Sequence, residues 1–172
     1  SELVPLADVQ SEIFHAVKTL DPVDVALADA RGLVLAAPVS TAEPVPPFAN
    51  TAMDGYAVRS QDLSSLPAEL EVIGVSAAGH PSTETVGPGQ AVRILTGAVA
   101  VAGTDCVVPV EHTDAGGERV RVHRAVPAGA NLRRAGEGAR RGDVVLTAGT
   151  RLHPGHLGLA ASAGLVELEV VR

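Results

Sequence analysis

Glycine and proline punctuate this chain so densely that its regular elements have to be short. Eighteen glycines and twelve prolines are spread over 172 residues, and each either permits a turn or stops an element. The runs between them, at 56–59, 69–77, 90–95, 105–110 and 119–124, are rich in β-branched residues. That pattern favours a mainly β chain with a few short helices, an α+β arrangement, over a helical bundle. With two Phe, one Tyr and no Trp, the core has to be built from Val, Leu, Ala and Ile. Little aromatic surface is left for stacking on bases, and a net charge of −7 argues against a nucleic-acid partner. The sequence contains no signal peptide and no apolar run of membrane length, so a cytoplasmic protein without membrane contact is expected. Cys106 is the single cysteine; it reads as a small buried hydrophobe, and a cysteine-cluster metal site is excluded.

Along the chain, Leu6, Val9, Ile13, Val17 and Leu20 recur at steps of three and four. They predict an amphipathic helix over about 6–20, with Asp8 as a candidate cap. A short strand follows at 23–27, then a second short helix over 28–36, interrupted by Gly32. Residues 37–48 hold Pro38, Pro44, Pro46 and Pro47, which stiffen an extended segment and suggest a subdomain boundary. Near the other end, a strand is expected at 144–146. Pro154 can open a helix that closes before Gly164, and Val166, Leu168 and Val170 alternate with Glu167 and Glu169 as a strand with one largely polar face.

Three stretches could carry chemistry. Residues 46–58 read PPFANTAMDGYAV. Asp54-Gly55 is a turn dipeptide: Gly accepts positive φ, and Asp can bond its own backbone two residues on. The turn would hold the Asp54 carboxylate at a loop tip beside Asn50 and Thr51, where it could ligate Mg²⁺ or act as an acid or base. Taken alone, such an Asp is far more often structural. Residues 91–98 read AVRILTGA; the small residues at Gly97 and Ala98 would let a ligand approach backbone N–H groups, and Thr96 adds a hydroxyl. Arg93 shares a strand face with Leu95 and needs a partner if that face is buried. Residues 131–143 read NLRRAGEGARRGD. Arg133, Arg134, Arg140 and Arg141 flank Gly136-Glu137-Gly138, the densest basic cluster in an acidic chain. It would either attract an anion or simply pair with Glu137 and Asp143. His153 and His156 are three apart with no third ligand in reach, which makes metal ligation the lesser reading.

Together these stretches resemble the molybdopterin molybdenumtransferase family, the MoeA proteins and the E domain of gephyrin. PPFANTAMDGYAV is similar to the family's proline–aromatic–Asn-Ser-Ala-Met-Asp-Gly-Tyr-Ala segment. AVRILTGAVAVAGTDCVVPVEHT, residues 91–113, is similar to Arg-Ile-x-Thr-Gly-Ala followed by Gly-x-Asp-x-Val-Val and Glu. NLRRAGEGARRGDVVLTAGTRLHPGHLGLAASAG, residues 131–164, is similar to a block with Arg, Gly-Glu-Asp, Gly-Asp and Ala-Gly-Thr. The resemblance implies domains I and II of the family, two small subdomains of bifurcated and coiled β-sheets. Domain I would comprise 1–46 and 143–172, and domain II the inserted 47–142.

The same resemblance implies insertion of molybdate into adenylylated molybdopterin with Mg²⁺ and release of AMP. Asp54 and Thr96 would be the catalytic residues, with Asp54 handling the metal or molybdate. Asn50, Thr51, Gly97, Arg133 and Glu137 would contact substrate. It also implies a homodimer in the full-length protein and molybdopterin adenylyltransferase as the upstream partner. The pterin-binding domain III and the C-terminal domain are expected to lie outside this stretch, so the fragment alone is expected to be inactive. Two departures stand out. The aspartate of Gly-Glu-Asp is Gly138 here, and Thr51 replaces the usual Ser. Loss of that carboxylate keeps open a non-catalytic, gephyrin-like scaffold as the alternative.

Overall fold

The computed structural model describes residues 4–171. In chain order the elements are helix α1 (Leu6–Ala16), strands β1 (Val23–Ala26), β2 (Val34–Leu35), β3 (Val39–Ser40), β4 (Asn50–Thr51), β5 (Gly55–Val58), β6 (Ala68–Ser76), β7 (Gln90–Ile94), β8 (Cys106–Pro109), β9 (Arg119–Val122), β10 (Leu132–Arg133) and β11 (Val144–Leu146), helix α2 (Pro154–Ser162) and strand β12 (Glu167–Val171). Among the described residues the fold is mainly β with two α-helices. Contacts divide it into Ser1–Ala42 with Gly142–Arg172, and Glu43–Arg141. The proline segment is thus split at 42/43, because Val45 already bridges to Ala139 inside the second unit.

In the first unit β12 is the central strand of an antiparallel sheet of order β1-β12-β2, and β11 pairs with β3. Leu168 and Val170 of β12 turn inward onto Leu35, Val39, Leu146 and Leu152, while Glu167 and Glu169 face out. That is the alternation expected of a half-buried strand. Pro154 occupies the first turn of α2, and Gly164 takes up φ +87° just past its end, as the sequence predicts.

Two helix expectations need correction here. Residues 28–36 do not form a helix: Leu27–Asp29 make one 3₁₀ turn, Gly32 adopts φ +84°, and Val34–Leu35 pair with β12. The left-handed glycine breaks the helical path, and the apolar residues after it gain a ladder and burial instead. Helix α1 stops at Ala16 because Val17 is already extended. Its N-cap is Pro5, with no side-chain hydrogen bond, so Asp8 sits in the first turn without capping. No residue of α1 is buried, and Leu6 and Phe14 are over 70% exposed.

The second unit is built on a five-stranded mixed sheet, order β8-β5-β7-β6-β9, in which only β6 and β7 run parallel. Both faces are covered. Tyr56, Val58, Leu70, Cys106, Val108, Val120 and Val122 pack on one face, and Ala57, Val92, Ile94, Val107, Val86 and Val101 on the other. Double coverage explains why β5 and β8 are buried at every residue and read as unbroken apolar runs. Cys106 lies in the first layer as a free thiol; burial, with the charge of Asp105 adding to it, pushes its pKa up to about 12.

Candidate functional site

The segment that carries the aspartate is anchored from both sides. Strand β4 pairs with β10, setting Asn50 opposite Arg133 and Thr51 opposite Leu132. On its other side Thr51 N donates to Ala98 O at 3.0 Å, Gly97 N donates to Thr51 O at 2.9 Å, and Asn50 bridges to Val99. Backbone pairing therefore brings Asn50, Thr51, Gly97 and Arg133 into one cluster. Thr51 is buried, and its hydroxyl serves the loop: it donates to Met53 O at 2.9 Å and accepts from Met53 N at 3.2 Å. Asn131, in a left-handed conformation at φ 60°, accepts from Ala52 N through its carbonyl and donates through Nδ2 to Val107 O. Asn131 was not visible as a site-building residue in the sequence, because its signal is only an Asn between Ala130 and Leu132.

Asp54 projects from this frame into solvent. Its Oδ1 accepts from Thr96 N at 2.7 Å and from the Thr96 hydroxyl at 2.6 Å. Those two bonds, with the positive charge of Arg93 adding, hold the carboxyl below its ordinary range despite some opposing desolvation. Both bonds fall on Oδ1, so Oδ2 has no hydrogen-bond partner among the described residues. Thr96 is presented by a turn in which Ala98 N donates to Leu95 O at 2.9 Å and Gly97 takes φ +82°.

Two details of the turn chemistry differ from the sequence reading. Gly55 is the first residue of β5 and has no positive φ; its lack of a side chain is required because a Cβ would lie 1.9 Å from Val108 O. The Asp54 side chain bonds across to Thr96 and not to its own backbone two residues on. The amides around Gly97 are also committed internally, to Asp54, Thr51 O and Leu95 O. Gly97 therefore offers room, with nothing within 4 Å of where a Cβ would stand, and not a free N–H donor.

Arg133 is exposed on β10, and the loop after it folds back on the proline segment. Gly136 N donates to Pro46 O at 2.9 Å, and Gly138 N to Val45 O at 2.9 Å. Glu137 accepts from Arg134 N at 3.0 Å, which turns its carboxylate into its own loop. No contact joins Glu137 to Asp54. His153 accepts from Gly155 N through Nδ1 and stacks on His156 with ring centroids 3.5 Å apart. It is thus the cap of α2.

Comparison with known proteins agrees with the motif reading. The model for the MoeA N-terminal region (domain I and II) matches residues 4–164. The chain is 38% identical over 174 aligned positions to molybdopterin molybdenumtransferase 1 of Mycobacterium tuberculosis, covering 90% of this chain and 41% of that protein. It is 36% identical to the molybdopterin molybdenumtransferase of Bacillus subtilis, covering 98% of this chain and 41% of that one. A crystal structure of the molybdopterin biosynthesis MoeA protein from Pyrococcus horikoshii superposes with a TM-score of 0.91 at 33% identity, over 98% of this chain and 46% of that one. The chain thus spans less than half the length of these relatives, and across that span both its motifs and its fold are theirs: it belongs to the MoeA N-terminal region family.

Proposed function

We propose that this chain forms the front part of a cytoplasmic enzyme that inserts molybdate into adenylylated molybdopterin and releases AMP. The observation that carries this reading is the Asp54–Thr96 pair: an ionised carboxylate, exposed, fixed by two short bonds and with one oxygen unused. Molybdate and the adenylylated pterin are both anionic, so joining them requires charge to be offset where they meet. Mg²⁺ suits that task, and the donor set here fits it in one specific way. Among the described residues no group of three or more His, Cys, Asp or Glu could hold a metal by itself. Mg²⁺ commonly binds through one or two carboxylates, with waters and substrate phosphates completing its shell. Asp54 Oδ2 supplies one such oxygen. Asn50 Oδ1, buried without a hydrogen-bond partner, is a second unsatisfied oxygen in the same segment.

The other roles follow from placement. Arg133, exposed on β10 and paired through its backbone with Asn50, would attract an anion to the cluster. Thr51 acts by shaping the loop, Gly97 by leaving space beside Thr96, and Glu137 by ordering the loop that presents Arg133 and Arg134. The remaining length of the relatives would supply the other wall of the site, in a homodimer, with a molybdopterin adenylyltransferase delivering the substrate. The test is release of AMP from adenylylated molybdopterin on addition of molybdate and Mg²⁺. A longer chain containing this region should release it and the 172-residue chain alone should not. Activity of the short chain, or none in the longer one, contradicts the proposal.

A further inference from the structure

Arg93 adds positive charge near Asp54, but its own two contacts have no part in the proposed chemistry. It lies on β7 directly opposite Tyr56 of β5, on the face where the Tyr56 core layer packs. Its guanidinium carbon stands 5.0 Å from the centre of the Tyr56 ring, and Nη1 donates to the Gly55 carbonyl at 3.0 Å. Tyr56 is itself immobilised, 1% exposed and with its hydroxyl donating to Gly116 O at 2.9 Å. No carboxylate is hydrogen-bonded to Arg93 among the described residues, so the partner the sequence demanded is a carbonyl and an aromatic face. Those two groups belong to the two residues that follow Asp54. Three residues further along the chain from Arg93 is Thr96, which holds the Asp54 carboxylate itself.

We propose that Arg93 is a positioning residue for the Asp54–Thr96 pair: its guanidinium clamps the Gly55 carbonyl against the Tyr56 ring, which fixes the base of the loop while Thr96 fixes its tip. A flat, forked cation is required because one group must donate in its plane and lie over a ring at once. Lysine can retain the charge but cannot satisfy both contacts together. The assignment deepens the reading of Asp54 and Thr96 as the working pair and rests on it for its functional meaning, though not for its geometry.

The experiment is amide spectroscopy on the 172-residue chain with Arg93→Met and Arg93→Lys. The Thr96 amide, donating to a carboxylate at 2.7 Å, should resonate downfield and be protected from hydrogen exchange. In Arg93→Met the Thr96 amide should move upfield and exchange about fivefold faster, the factor expected when one such bond is weakened. The Val120 amide, on the far β9 edge of the same sheet, serves as control and should be unchanged. Arg93→Lys should recover less than half of the loss. A folded Arg93→Met chain with native Thr96 shift and exchange, or with Thr96 and Val120 loosened equally, overturns the assignment. If Arg93→Met does not fold, Arg93→Lys decides: at least about twofold faster Thr96 exchange supports the clamp, and native exchange refutes it. A longer chain carrying Arg93→Met that turns over normally despite a loosened Thr96 amide would leave the clamp standing and remove the Asp54–Thr96 pair from the catalytic reading.

Discussion

Replacing Gly55 by alanine should be among the most damaging small changes this chain can suffer. The added Cβ would lie 2.8 Å from Val108 C and only 1.9 Å from Val108 O, the latter about 1.5 Å short of the 3.4 Å at which ordinary contact begins. Neither neighbour is a flexible side-chain tip; both belong to the backbone of β8, which pairs with β5 from Gly55 to Val58. Strands β5 and β8 must therefore part locally. A hydrogen bond of about 2.9 Å stretched by that amount is no longer one, and the Val110 N to Asp54 O bond of 3.0 Å lies beside the breach. Overpacking a buried position costs roughly 1–3 kcal/mol, and two lost backbone bonds add about 1 kcal/mol each. The sum is roughly 3–5 kcal/mol, or a drop of about 10 °C in the unfolding midpoint for a chain of this size. Gly97→Ala is the control. Gly97 sits at φ +82° with open space around it, so only the strain of a left-handed alanine applies, roughly 1–2 kcal/mol. Thermal and urea unfolding of both variants decides the matter. If Gly55→Ala unfolds no earlier than Gly97→Ala, the close-approach argument is wrong and Gly55 is an ordinary turn glycine.

Other outcomes follow from the same geometry. Asp54→Asn should lower the unfolding midpoint of the 172-residue chain only slightly, by no more than acidification does through this group, since the side chain is exposed and an amide oxygen can still accept from Thr96; a large drop would make the pair structural. Stability should decline in acid. Asp54, held down chiefly by the Thr96 hydroxyl and amide, and Asp114, held down chiefly by the Arg121 amide, have folded-state pKa values below their unfolded ones, so their contribution is present above about pH 4 and is lost as pH falls further. Urea midpoints between pH 7 and pH 3 check this, and a midpoint that rises on acidification would contradict it. In a longer chain, Gly138→Asp should raise molybdate insertion and tighten its Mg²⁺ dependence by restoring the family's carboxylate. A Cβ there meets Val45 O at 3.1 Å, so the loop must give by a few tenths of an ångström, and folding should be matched before rates are compared. Unchanged or lower activity would favour the scaffold reading.

The parts of the fold legible in the sequence are those whose signal is local. Strands β6, β7, β8 and β9 announce themselves as β-branched runs between Gly and Pro turns, and α2 by Pro154 and Gly164. Strand β11 is expected at 144–146, but its partner β3 and the pair β4–β10 are only two residues long per strand and exist through backbone pairing with segments distant in sequence; no periodicity can develop over such a length. Residues 28–36 carry helix-compatible composition, yet Gly32 and the β12 ladder overrule it. At the site, motif similarity singled out Asp54 and Thr96, residues 42 apart that turn out to be in direct contact. How they are held was not legible. The glycine of Asp-Gly serves a close approach of strands, the amides near Gly97 are already bonded, and Arg93 meets a ring and a carbonyl in place of an acid. Each depends on what lies across the sheet, and a linear reading does not contain that.

If Asp54 and Thr96 act as one unit in molybdate insertion, a double-mutant cycle on turnover will show it. AMP release by a longer chain should be measured for Asp54→Asn, Thr96→Val and the two combined. Residues that work as a unit show strongly non-additive losses. Each single change should lower the rate by about 100-fold or more, and the double variant should be no slower than the slower single one. Normal turnover of Asp54→Asn, or losses that simply multiply in the double variant, would mean that the two residues do not work as a unit.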